Sequence, residues 1–403
     1  MSAVVTGVGV VSPTGIGVET HWANTLSGRS GIGPIERFDA SAYPTRLAGE
    51  VRDFIAKEHI TSRMIKQTDR WTQMALAATE EALRDAGAFP VEECGLDEYE
   101  MAVVTATSSA GNEFGQGELG SLWSKHPQYV TAYQSIAWFY AATTGQISIK
   151  YGMRGSCGVI VSEQAGGLDA IAQARRVLRG RAKLVVSGGT EAPIGPYAVV
   201  CQQSNELMST SDDPARAYLP FDSGANGYVP GEGGAILIIE DEENARARGV
   251  SKVYGRVAGY AATFDPRPGS GREPTLQRAA ELALEDAGLL ASDVDVVFAD
   301  AFGVPALDRM EAEAIGKVFG PRGIPVTAPK TLTGRLYAGG ASLDLVTALL
   351  SIRDGVIPPT VGVTARPDLE LDLVDRPREA NLRTALVLAR GYGGFNSAVV
   401  LTA

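Results

Sequence analysis

Short runs of almost wholly apolar residues recur along the chain, and each passes into a segment with helical spacing. The runs are "VVTGVGVV" (4–11), "MAVVTAT" (101–107), "AKLVVSGGTEA" (182–192), "GGAILIIE" (233–240), "DVDVVFADAFG" (293–303), "TALVLARG" (384–391) and "NSAVVLTA" (396–403). A strand that is apolar on both faces must be covered on both faces, and helices between the strands supply the cover. Helical patterns at 68–86, 275–289 and 339–355 fit that demand, the first stopping at Asp85-Ala86-Gly87 and the last reading as buried throughout. The implied class is α/β, with mostly parallel sheets. The rhythm occurs twice, with a junction near 241–252, so the chain is expected to hold two similar halves, 1–245 and 246–403.

Composition narrows the setting. With 403 residues and 45% hydrophobic content, the chain has enough apolar side chain for one large or two mid-sized cores. The net charge of -11 argues against nucleic acid as a partner. Cys94, Cys157 and Cys201 are far apart and follow no metal or disulfide spacing, which favours a reducing compartment. The opening "MSAVVTGVGVVSPTG" has no basic start and reads as a strand. No apolar run reaches the roughly 18 residues of a membrane helix. A cytoplasmic protein with no metal and no membrane contact is the expectation.

The stretch "VIVSEQAGGLDAIAQARRVL" (159–178) carries the chemistry. It runs as a strand, a sharp turn and a helix, and the turn delivers its residue to a helix N-terminus. Backbone N–H groups and the helix dipole favour negative charge there, so it is a common seat for a nucleophile. The residue on the turn is Gln164, whose neutral amide is neither nucleophile nor base.

Five ordered stretches resemble the β-ketoacyl synthases of the thiolase-like superfamily. They are "VVTGVGVVSPTG", the turn before "AGGLDA", "YLPFDSGANGYVPGEGGAILIIE" (218–240), "PKTLTGRLYAGG" (329–340) and "GYGGFN" (391–396). The resemblance spans nearly the whole chain and implies a five-layered α-β-α-β-α fold. Condensing members of the family carry the acyl chain on a cysteine and use two histidines to assist decarboxylation and stabilise the enolate. Matched position by position, the cysteine is Gln164, the first histidine is Phe302 in "DAFGVP", and the second is Arg335 in "KTLTGR". His21, His59 and His126 lie outside these motifs. Lys330 remains, as do Asp308 and Glu311, and these three are read as structural members of the old site.

"SEQAGGLDA" with "GRLYAGG" on an intact frame is similar to the chain length factors of bacterial type II polyketide synthases. This resemblance implies a subunit that does not condense by itself. It would form a heterodimer with a cysteine-bearing ketosynthase, receive units from an acyl carrier protein, and shape the tunnel in which the polyketide grows. No organic cofactor is implied beyond the phosphopantetheine arm of that carrier. The alternative is a malonyl-carrier decarboxylase in which Gln164 holds the thioester carbonyl. For Gln164 the plainer reading is an amide bonded to buried neighbours, and for Arg335 an ion pair with Asp308 or Glu311, since an unpaired buried charge is very costly. Phe302 is read as filling vacated space.

In the family, the segment after the "VVTA"-type strand lines the tunnel floor. The positions here are Asn112, Gly115 and Leu119; none is aromatic, which predicts a product longer than the shortest aromatic polyketides. Tyr392 matches a gating aromatic of the family, with ordinary core packing as the other reading. The basic run "QARRVLRGRAK" (173–183) is either a carrier-protein dock or a solvated helix end.

Overall fold

The computed structural model describes residues 2–403. In the first half, β1 (Ala3–Ser12), β2 (Met101–Ala106), β3 (Cys157–Ile160), β4 (Leu184–Glu191) and β5 (Gly233–Asp241) lie in the order β1-β5-β4-β2-β3. In the second, β6 (Gly255–Phe264), β7 (Val296–Phe298), β8 (Pro325–Thr327), β9 (Thr384–Gly391) and β10 (Phe395–Thr402) lie in the order β6-β10-β9-β7-β8. Numbered within each half, the two orders are the same, so the repeated rhythm of the sequence is a repeated topology. The sheets join edge to edge where Val4 and Val5 pair with Arg256 and Gly255.

Each sheet is mixed, which corrects the expectation of mostly parallel pairing. β5 is antiparallel to β1 and β4, and β10 to β6 and β9, while the remaining central pairs are parallel. Apolar residues on both faces report cover, and direction is decided by the connections. The turn between β9 and β10 spans only residues 392–394 and is too short for a parallel crossover.

The layers are completed by the helices α1 (Arg70–Asp85), α2 (Asn112–Ser124), α3 (Ala142–Tyr151), α4 (Gly166–Leu178), α5 (Leu276–Ala287), α6 (Pro305–Phe319) and α7 (Ala338–Asp354). α1 and α3 cover the outer face of the first sheet, α5 and α6 that of the second, and α4 and α7 fill the space between the sheets. The result is the five-layered α-β-α-β-α arrangement. α7 has burial from Ala338 through Ile352, as a helix enclosed on all sides requires. It meets α4 at Gly167, where a β-carbon would lie 2.3 Å from the Ala338 carbonyl oxygen. Glycine is needed at that crossing.

α3 reads weakly in sequence because "ATTGQISIKY" is rich in β-branched residues and contains a glycine. Packing against α1 and β2 makes it helical. Among the described residues no helix is long and apolar enough to cross a membrane.

Candidate functional site: a filled nucleophile seat

The N-termini of α4 and α7 converge, one from each half, and Gln164 lies between them. Glu163 takes a φ of 51°, the strained turn that hands the chain from β3 to α4. Gln164 follows it with no exposed surface, and its side chain lies over Gly340 at the start of α7. The Gln164 Nε2 donates to Asp300 Oδ1 at 3.3 Å, and its Oε1 is buried without a partner among the described residues.

Arg335, fully buried, fills the ground in front of this amide. Its Nη1 lies 3.2 and 3.1 Å from the two Asp300 carboxylate oxygens. Its Nη2 donates to the Arg390 carbonyl and lies 3.5 Å from Glu163 Oε2. Its guanidinium carbon sits 3.9 Å from the centre of the Phe302 ring, a cation–π stack. Phe302 in turn meets Tyr228 edge-on at 5.6 Å. Burial alone would lower the Arg335 pKa, but Asp300 and Glu163 more than offset it, and the guanidinium is held charged. Burial raises the Glu163 carboxyl pKa, against the pull of Arg335.

The ion-pair partner of Arg335 is therefore Asp300, with Glu163 beside it, and not Asp308 or Glu311. Both expected partners are occupied with the loop that presents Phe302. Asp308 accepts the N–H groups of Phe221 and Gly303, each at 2.9 Å. Glu311 accepts those of Asp300 and Ala301 at 2.7 and 2.8 Å. Burial raises Asp308 to about 6 and Glu311 to about 7, both helped by the Asp300 charge. Lys330 donates to the carbonyls of Ala299 and Asp300 at 2.8 and 3.0 Å and lies 2.7 Å from Asp344 Oδ2. Burial brings Asp344 up to about 6, against the lysine. Asp308, Glu311 and Lys330 surround the loop 299–303 and hold it in place.

Asp300, Glu163 and Arg390 were missed by sequence reasoning. The signal was present: Glu163 adjoins the elbow glutamine, and Asp300 stands two residues before Phe302. An arginine entering a buried site calls for the carboxylates that face that site, and these two do.

Tyr392 is 59% exposed, which removes core packing as its reading. Its N–H donates to Glu163 Oε2 at 2.9 Å, and its ring lines an open cleft of about 660 Å³. Phe302, Leu307, Met310 and the loop 265–272 also line that cleft. The cleft reaches Phe302, behind which the Arg335 guanidinium is stacked, while Gln164 is sealed from solvent. Cys157, at the start of β3 and seven residues before Gln164, and Cys201, on the helix Pro196–Gln203, are both exposed.

Asn112, Gly115 and Leu119 share one face of α2, at helical spacing. Gly115 is buried, and a β-carbon placed there would stand 3.7 Å from Trp138 and 3.8 Å from Gln134, while Leu119 is half exposed. This helix belongs to a surface rich in exposed apolar side chains, including Trp123 at 82%, Tyr129, Trp138, Phe139 and Val161. β3, beside them, pairs only with β2 among the described residues and leaves its other edge open. In the basic run, Arg175, Arg181 and Lys183 pair with Asp286, Asp97 and Glu100, so much of its charge is neutralised within the chain.

Comparison with known proteins agrees with this geometry. Residues 2–245 match the family profile of the β-ketoacyl synthase N-terminal domain, and residues 254–364 that of its C-terminal domain. The tetracenomycin polyketide synthase ketoacyl synthase beta subunit of Streptomyces glaucescens is 57% identical, covering 99% of this chain and 97% of its own. The ishigamide ketosynthase/chain length factor superposes with a TM-score of 0.88 at 27% identity, over 100% of this chain and 99% of that one. A type II polyketide synthase acyl carrier protein in complex with its ketosynthase, bound to a hexaketide, contains a chain that gives a TM-score of 0.88 at 28% identity, with 100% and 99% covered. A thiolase-like frame whose elbow, loop and turn stand in the family's order places this chain in the β-ketoacyl synthase family.

Proposed function

We propose that the chain is the chain length factor, or β subunit, of a type II polyketide synthase. It pairs in the cytoplasm with a cysteine-bearing ketosynthase and helps enclose the tunnel in which a carrier-delivered polyketide grows. The observation that carries this reading is the filled seat. Gln164 is sealed and bonded to Asp300, while Arg335 and Phe302 occupy the ground where a thioester would have to sit. Stabilising an enolate requires donors aimed at the developing charge. The Arg335 Nη groups and the Gln164 amide already serve Asp300, Glu163 and the Arg390 carbonyl. Decarboxylation of malonyl carrier by this chain alone is therefore disfavoured.

The partner reading rests on the open β3 edge and the apolar side chains around it. An unpaired strand edge flanked by exposed aromatics is a liability in an isolated chain and a ready surface for a second subunit. Asn112, Gly115 and Leu119 on α2, beside that surface, form the tunnel wall, and Tyr392 stands at the mouth of the cleft. Malonyl carrier protein incubated with this chain alone should keep its intact mass, and addition of the companion ketosynthase should yield polyketide. Conversion to acetyl carrier by the chain alone, abolished in Gln164→Ala, would replace this reading with that of a priming decarboxylase.

A further inference from the structure

Two carboxylates with no part in the old site converge on one segment, residues 107–114, which leads into α2. Glu191, at the end of β4, is fully buried. Its Oε2 accepts the hydroxyls of Thr107 and Ser109 at 3.1 and 2.7 Å and the Ser109 N–H at 3.3 Å, and its Oε1 accepts the Ser108 N–H. The Thr107 oxygen also receives the N–H of Ala110, which holds a φ of 51°. Asp69, nearly as buried, caps α1 through the Trp71 N–H at 3.1 Å and reaches across to the Phe114 N–H at 2.8 Å. Every one of these bonds fixes backbone or hydroxyl groups of the turn and first residues of α2, apart from the cap of α1.

α2 needs such anchors. "NEFGQGELGSLWS" contains Gly115, Gly117 and Gly120, and its N-cap, Gly111, offers no side-chain cap. A helix of this composition has little intrinsic preference for one placement, so its position is set from outside. The strained backbone at Ala110 persists because the surrounding bonds over-determine it.

We propose that Asp69 and Glu191 are positioning residues that set where α2 stands, and through it the length to which the polyketide grows. This rests on the reading of Asn112, Gly115 and Leu119 as tunnel wall. Replacing either carboxylate by its amide keeps the shape but turns one acceptor into a donor that faces other donors. The segment 107–114 then loses part of its anchorage and samples more than one placement.

The test is the product-length distribution, by mass spectrometry, of the complex reconstituted with its ketosynthase and carrier protein. Glu191→Gln, Asp69→Asn and the milder Ser109→Ala are compared with the parent chain and with Gly115→Phe. The expected result is a broadened distribution of chain lengths in the three anchor variants, with total polyketide per complex unchanged. A loss of total turnover at unaltered lengths would mean a merely structural role and would overturn the inference. So would unaltered lengths in all three while Gly115→Phe shortens the product. If Gly115→Phe also leaves the length unchanged, the tunnel-wall reading fails and the inference with it. Should an amide variant fail to fold, Ser109→Ala decides.

Discussion

Removing the Arg335 guanidinium tests the account of the filled seat most directly. In Arg335→Met, Asp300 and Glu163 lose the cation between them while Asp300 stays fully buried. Breaking a buried ion pair from one side costs about 3–5 kcal/mol, because the other charge is left uncompensated. Asp300 keeps the Arg390 N–H at 2.9 Å and the Gln164 amide at 3.3 Å, which points to the lower end, about 3 kcal/mol. Unfolding entropy of about 2.1 cal/mol/K per residue over 403 residues converts that into a fall in melting temperature of roughly 4 °C. The assay is thermal melting of the subunit in complex with its ketosynthase. Adding Asp300→Asn to Arg335→Met should recover part of the loss, since the amide oxygen still accepts the Arg390 N–H and only Glu163 is left without its cation. The pH dependence has a definite sign. The part of the deficit that belongs to Glu163, whose carboxyl pKa is raised by burial, is full where that carboxylate is ionised and shrinks as acid protonates it. A single variant that melts with the parent, or a double variant no better than the single, would refute the reasoning.

Further outcomes follow from the core. Burial lowers the His21 pKa from 6.5 to about 4, and the neutral ring is bonded to Ser12, Thr14 and Thr347. Its folded pKa lies below its unfolded one, so its contribution is present above pH 6.5 and is lost as pH falls to about 4, by as much as about 3 kcal/mol. Denaturant midpoints compared across that window should fall more steeply for the parent than for His21→Asn. Gly167→Val should prevent α4 and α7 from packing, because its β-carbon would lie 2.3 Å from the Ala338 oxygen, and soluble yield measures this. Gly316→Ala on α6 meets nothing within 4 Å and should stabilise the chain by about 0.5–1 kcal/mol, read as a raised denaturant midpoint.

Long apolar runs and their repetition determined most of the architecture, because a strand apolar on both faces has to lie between helices. β1, α1, β4, α7 and the closing pair β9 and β10 fall within a few residues of where periodicity puts them. The elbow was legible for the same local reason, since Gln164 stands on a strand–turn–helix transition that periodicity alone reveals. Strand direction was not legible, because it depends on how connections run through space. Nor was α3, whose β-branched residues become helical only against α1. The partner of Arg335 was decided by tertiary structure alone. Asp308 and Glu311 are near Phe302 in sequence, yet they satisfy the N–H groups of the loop 299–303 and, for Asp308, also that of Phe221. Asp300 meets the guanidinium because the fold of the second half brings the loop after β7 beside the turn before α7, and the packing of the first half then sets Gln164 and Glu163 against both. The sequence by itself determined that a nucleophile's seat exists and that no nucleophile occupies it. Only the packing of the two halves decided what fills the seat, because a buried charge takes the counter-charge that folding carries to it across many residues.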